Sequence, residues 1–297
     1  MSAETADLAG AAPHVDRTGA AVGYRPGATL GIRVELSRQL RRRRTKATFA
    51  FLVALPLLLI LAFSVGSEDF EEGTAVNLVD VATASSLNFA LFVMFATTGF
   101  FLVVVYALFF GDTIASEASW GSLRYLLTAP VPRARLLRQK FVVALILSLA
   151  ALLTLTAVSL LAGIVAYGWD PVRTPVGITL SQGEALVRLL AIVAYLGFTL
   201  LTVGSLAFML SVVTDAPLAA VGGAVFAMIV ASILDAVEAL GDIRNYLPTE
   251  NQYAWVGTLS QPMQTDEMLT GAIQALVYSA VFLAVTFWHF GRKDVLS

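Results

Sequence analysis

The chain has 297 residues, 58% of them hydrophobic and 13% charged, with a net charge of −2. Soluble domains carry roughly 45–50% apolar and about 25% charged residues, so an ordinary soluble globule is excluded and an integral membrane protein is expected. Structural disulfides and thiolate chemistry are excluded because there is no cysteine, and the two histidines, His14 and His289, leave no basis for a histidine-held metal or haem inside a membrane.

Residues 1–29 are small and polar without periodicity, and are expected to form a flexible tail. No apolar core stands near the start, so a secretory signal is not expected. From residue 30 to 46 the pattern changes. Ile32, Leu36 and Leu40 recur at i, i+4 and i+8, with Arg33, Arg38 and Arg41 to Arg44 around them. This predicts a basic amphipathic helix lying on an anionic membrane surface. The arginine run directly precedes an apolar segment, so it reads as a topology determinant rather than a nucleic-acid patch.

Residues 47–297 hold six apolar runs, at about 47–65, 89–110, 141–167, 185–213, 217–234 and 271–290. Each is near the ~20 residues needed to cross ~30 Å of hydrocarbon. The second run is rich in phenylalanine. Phe92, Phe95 and Thr98 are candidates for lining a pathway, beside the plainer reading of core or lipid-facing packing. In the fifth run Ala219, Gly223, Ala227 and Ala231 repeat every fourth residue, a stripe that permits close helix packing. It serves either contacts within the subunit or a subunit interface. The segment 235–270 is long for a turn and carries Tyr246, Tyr253 and Trp255. It is either re-entrant or an outer loop with interfacial aromatics.

Between the second and third runs lies residues 111–140, GDTIASEASWGSLRYLLTAPVPRARLLRQK. Trp120, Leu123 and Leu127 share one helical face, Glu117 and Arg124 decorate the same helix, and Pro130 and Pro132 end it. Arg133 and further cations follow. Two readings fit: a lipid-facing interfacial anchor, or a docking helix for a cytosolic partner. Lysine and arginine concentrate in the N-terminal segment, in this loop and in the C-terminal tail, which predicts that all three are cytoplasmic.

No G-x-x-x-x-G-K-[ST] phosphate loop is present, nor a G-x-S-x-G or H-E-x-x-H motif. Neither a catalytic nor a metal site is predicted, and no cofactor is expected in this chain. The run cores are read as nearly free of charge, which argues against proton- or ion-coupled transport.

The order acidic residue, Gly-Ser-Leu, Leu-Leu, Ala-Pro-Val-Pro-Arg, Leu-Leu, Lys resembles the cytoplasmic loop of ABC-type-2 export permeases. Ser122 stands where that family usually has Thr, and Pro132 where it has Ser. The resemblance implies an all-α integral membrane protein with six transmembrane helices, an N-terminal amphipathic interfacial helix and a cytoplasmic coupling helix, in the plasma membrane of a prokaryote. It implies ATPase coupling through Glu117, Trp120, Leu123, Arg124, Leu127, Pro130 and Arg133. The implied partners are cytosolic ABC ATPase subunits holding ATP and Mg, a second permease subunit (identical or related), the lipid bilayer, and an apolar or amphipathic substrate, with no nucleic acid. The reading from another class is a non-transporting scaffold or sensor whose basic loop binds lipid or a signalling partner.

Overall fold

The structure, a computed structural model, describes residues 31–66, 78–119, 132–173, 179–214 and 216–292. The helices in chain order are α1 (Ile32–Leu40), α2 (Arg43–Gly66), α3 (Leu78–Thr83), α4 (Ser86–Thr98), α5 (Phe101–Ser119), α6 (Arg133–Tyr167), α7 (Gln182–Thr199), α8 (Leu201–Val213), α9 (Pro217–Asp235) and α10 (Asp266–Arg292). A two-residue hairpin, β1 (Val172–Arg173) with β2 (Thr179–Leu180), pairs Val172 with Leu180. Two 3-10 helices, Glu238–Tyr246 and Ala254–Leu259, precede α10.

Six of these segments are long and apolar enough to cross a membrane: Arg43–Val65, Phe101–Ser119, Arg133–Tyr167, Gln182–Val213, Pro217–Asp235 and Asp266–Arg292. The chain is an all-α, multi-pass membrane protein. The α5 segment is the centre of the bundle, with 78% of its span buried, whereas α2 and α10 are peripheral at 11%. Lipid tails are as apolar as leucine, so this bundle is held by close packing rather than by escape from water. Phe110 of α5 shows how. Its ring meets Phe141 of α6 at 5.2 Å and Phe208 of α8 at 6.5 Å. Gly204 faces the same ring so closely that a Cβ there would lie 2.8 Å from it.

The second apolar run is longer than its composition indicated. It extends from Ser86 to Ser119 and is interrupted at Gly99–Phe100. The interruption has a physical cause, a foreign side chain entering the ladder. A Cβ on Gly99 would lie 2.5 Å from the Tyr253 hydroxyl, and the Thr98 carbonyl accepts from Gln252 Nε2 (2.7 Å). The fourth run, by contrast, continues through its bend: Leu200 keeps right-handed helical angles and accepts from Gly204 N at 3.0 Å.

The face of α9 that is buried within this chain shares Ala231 with the expected stripe. Ala220, Ala224, Met228 and Ala231 are buried, while Ala219 and Ala227 are exposed and Gly223 is half-buried against Leu210. Small residues occur in adjacent pairs along this helix, so spacing alone could not say which register faces the bundle. Val221, set against Gly111 of α5 at 2.9 Å from an ideal Cβ, fixes it.

Candidate functional site

The bundle has a basic end, where α1 meets the end of α5 and the start of α6, and a loop end with α3, the hairpin and the 3-10 helices. At the basic end Glu35 and Gln39 are the buried residues of α1, while Ile32 and Leu40 are exposed. The helix therefore turns its polar face to the protein. Lys140 Nζ stands 2.8 Å from Glu35 Oε1 and also contacts Glu117 Oε1. Arg38 pairs with Glu35 (2.8 Å) and with Glu117. Next to this quartet, Arg42 reaches Asp112 at 2.6 Å, and Arg44 pairs with the same carboxylate. Glu117 is 1% exposed and Lys140 3%.

Burial raises the Glu35 carboxyl, but Lys140 and Arg38 outweigh it and hold it below its ordinary 4.5. Its stabilising contribution is thus complete above that value and is lost as pH falls through the lower folded value. One turn beyond Asp112, the Ser211 hydroxyl of α8 accepts from Ile114 N (3.0 Å) and Ala115 N (2.9 Å). This side chain enters the α5 ladder and couples α8 to the helix that carries both buried acids.

At the loop end the chain between α9 and α10 folds back along the bundle. Tyr195 Oη of α7 donates to Asn251 O (2.6 Å), Gln274 Nε2 of α10 to Leu247 O (2.6 Å), and Tyr278 Oη to Tyr246 O (2.5 Å). Arg188 of α7, 6% exposed, donates to Thr258 O and to Ser260 O (3.2 Å). Beside this turn α6 runs antiparallel to α4. Ser86 lies against Gly163, and Met94 Sδ accepts from Thr156 Oγ1 at 3.7 Å. Thr98, which binds Gln252, lies twelve residues beyond Ser86, or about 18 Å along the helix.

An apolar recess of about 160 Å³ lies beside this turn, with Phe92, Phe95, Val172 and Trp255 in its walls and Asn88 and Arg173 at its polar edge. Phe95 meets Tyr253 at 5.2 Å and Trp255 at 6.4 Å, and Phe92 meets Phe63 of α2 at 5.3 Å. The Asn88 side chain fixes the hairpin by donating to Arg173 O (2.7 Å) and accepting from Arg173 N (3.1 Å).

Among the residues singled out from sequence, Phe92 and Phe95 come together in the recess, and Thr98 lies under the turn, fully buried. Trp120, Leu123, Arg124, Leu127 and Pro130 lie outside the described residues. Glu117 belongs to the last turn of α5 and pairs with Lys140 and Arg38 of the same chain. Arg133 opens α6 and donates to Gly291 O of α10 at 3.2 Å. The expectation of nearly charge-free runs also changes: Arg188 lies inside the fourth and is buried. Sequence reasoning missed Glu35 and Lys140 as the companions of Glu117, and Asp112 as the acid that holds Arg42 and Arg44. The available hint was acidic residues placed within otherwise basic flanks.

Over 210 residues, 67% of this chain, it is 27% identical to the uncharacterized protein YhcI of Bacillus subtilis (strain 168), and the match spans 64% of that relative's length. Residues 50–296, from α2 onward, match the family described as protein of unknown function DUF2705, and the chain belongs to that family.

Proposed function

We propose that this chain is the membrane-spanning permease subunit of an ATP-driven ABC exporter, with the basic end in the cytoplasm and separate ATPase subunits docked on the stretch 120–131. The observation that carries this reading is the quartet of buried Glu35, Glu117 and Lys140 with half-exposed Arg38. Glu117 and Lys140 bracket that stretch on α5 and α6. A displacement of the stretch is therefore delivered to the central helix, to α6 and to α1 together, rather than being absorbed by one loose loop. For ATP to drive transport, the ATPase states must bind the stretch with different affinity. Two permease subunits form the pathway. The aromatic recess with Phe92 and Phe95 suits an apolar or amphipathic cargo, and the folded-back turn caps the bundle on the other side. Both termini, by this reading, are cytoplasmic, and ATP with its Mg belongs to the partner.

The test is copurification of the ATPase with Leu123→Asp and Leu127→Asp variants at matched membrane expression. Loss of a central apolar anchor costs about 2 kcal/mol or more, so ATPase recovery should fall roughly thirtyfold. Undiminished recovery and transport in both variants would remove the stretch as the coupling element and leave the scaffold reading.

Orientation is tested separately, against a background free of cysteine. Cysteine at Tyr246 or Met263, both exposed, should react with an impermeant thiol reagent in intact cells. Cysteine at Ser122 should react only after permeabilisation. Thr258 is fully buried and would be a poor probe despite its place in the same connection. Labelling of Ser122 from outside would reverse the topology.

A further inference from the structure

At the basic end the start of α6 stands between α1 and the end of α10. Two adjoining recesses open there, of about 150 and 320 Å³, and both have Arg135 and Arg138 in their walls. Ile32, Gln139 and Val142 complete the first, and Phe287 closes the second. Arg138 is exposed and takes no part in the ion pairs among the described residues. Gln139 is 8% exposed, and its Oε1 has no hydrogen-bond partner. The recesses thus join two cations, a buried amide and an apolar floor.

Below them the same face of α6 continues as Val142, Ile146, Leu149 and Leu153, at i, i+4, i+7 and i+11. Ile146, Leu149 and Leu153 are exposed and Val142 is half-buried. From Val142 to Leu153 is about 16 Å along the axis, the depth of one leaflet of a ~30 Å hydrocarbon layer. A cationic recess at a helix mouth, continued by an exposed apolar track one leaflet long, is complementary to a molecule with an anionic head and an acyl tail. Basic pockets between transmembrane helices hold anionic headgroups for this reason.

We propose that this groove is a binding site for one anionic phospholipid. Its phosphate sits between Arg135 and Arg138, and one acyl chain lies along Val142, Ile146, Leu149 and Leu153. A zwitterionic lipid fills the track but brings no net charge to the two guanidiniums. A soluble phosphate satisfies the cations and leaves the track bare. The proposal is independent of transport and of any ATPase.

The experiment uses the full chain purified in mild detergent, with native mass spectrometry of lipid retained after exposure to phosphatidylglycerol or to phosphatidylcholine of the same acyl chains. Phosphatidylglycerol should be retained preferentially. Arg138→Gln should lower that preference about fivefold, and the double change R135Q/R138Q by roughly the square of that, at the scale of one arginine near an anionic surface. Arg138→Lys should keep most of it. Helical content and elution volume are matched across variants, and Arg244→Gln, in the 3-10 helix at the opposite end, should leave the preference intact. The site is refuted if the wild type shows no preference, or if the preference survives in R135Q/R138Q. Equal loss in Arg244→Gln also refutes it, by exposing a general charge effect. Displacement of the lipid by equimolar glycerol phosphate would overturn the acyl-chain contact.

Discussion

Lys140→Met should destabilise the protein by roughly 3–5 kcal/mol, the cost of leaving a buried charge without its partner. Methionine keeps much of the length of the lysine stem, so the loss isolates the charge rather than the volume. Lys140 is the cation shared by Glu35 and Glu117, all three buried or nearly so. Without it, two buried carboxylates are left to the half-exposed Arg38 alone. Arg38 cannot substitute, because its side chain is 46% exposed and solvent screens its share. Arg38→Gln should accordingly cost less than about 1 kcal/mol. The double change Glu117→Gln with Lys140→Met should recover most of the loss, since neutralising both members of a buried pair is often tolerated. The measurement is the unfolding midpoint in detergent, followed by helical signal. A wild-type midpoint in Lys140→Met would show that the quartet contributes little, and the proposed coupling of the stretch to α1 would lose its physical basis.

The parts of this molecule that were legible in sequence are those set by local composition. Six apolar runs of spanning length were visible, as was the basic helix before the first of them, because hydrocarbon thickness and the 3.6-residue period act residue by residue. What was hidden depends on contacts between distant segments. The interruption at Gly99 is made by Tyr253, and nothing within ten residues of Gly99 announces it. The acids of the basic end read as isolated charges until Glu35 and Lys140 are placed at one point by α1 and α6. Even the face of α9 was ambiguous by one residue, because the partner that decides it is Gly111 of α5. The exposed stripe of α1 is the reverse case. Ile32 and Leu40 do form an apolar edge, but the arginines Arg38, Arg42 and Arg44 beside it are engaged by Glu117 and Asp112. Among the described residues, the exposed cations of α1 and its flank that take no part in these ion pairs are Arg33, Arg41, Arg43 and Lys46. A surface-binding helix read from its whole charge would therefore overestimate its attraction to lipid.

Arg188→Met should release the turn at the loop end while leaving the bundle folded. The guanidinium reaches across from α7 to two carbonyls of the turn, Thr258 O and Ser260 O, and is itself paired with Glu184 at 2.5 Å. Each hydrogen bond from a charged donor contributes about 1.5–3 kcal/mol. The carbonyl of Thr258 lies in a residue with no exposed surface, so it finds no water when the donor is removed. Methionine fills similar space along α7 and donates nothing. The opening equilibrium of residues 254–260 should rise about a hundredfold, which amounts to roughly 3 kcal/mol. Tyr195→Phe removes one neutral bond, to Asn251 O at 2.6 Å, and should raise opening only about fivefold. Amide hydrogen exchange in lipid nanodiscs reads both effects. In Arg188→Met, faster exchange should be confined to the turn, with α7 and α10 protected as in the wild type. A uniform rise across α7 and α10 would make Arg188 a determinant of global stability. Unchanged exchange at 254–260 would show that the tyrosine and glutamine contacts alone hold the turn in place.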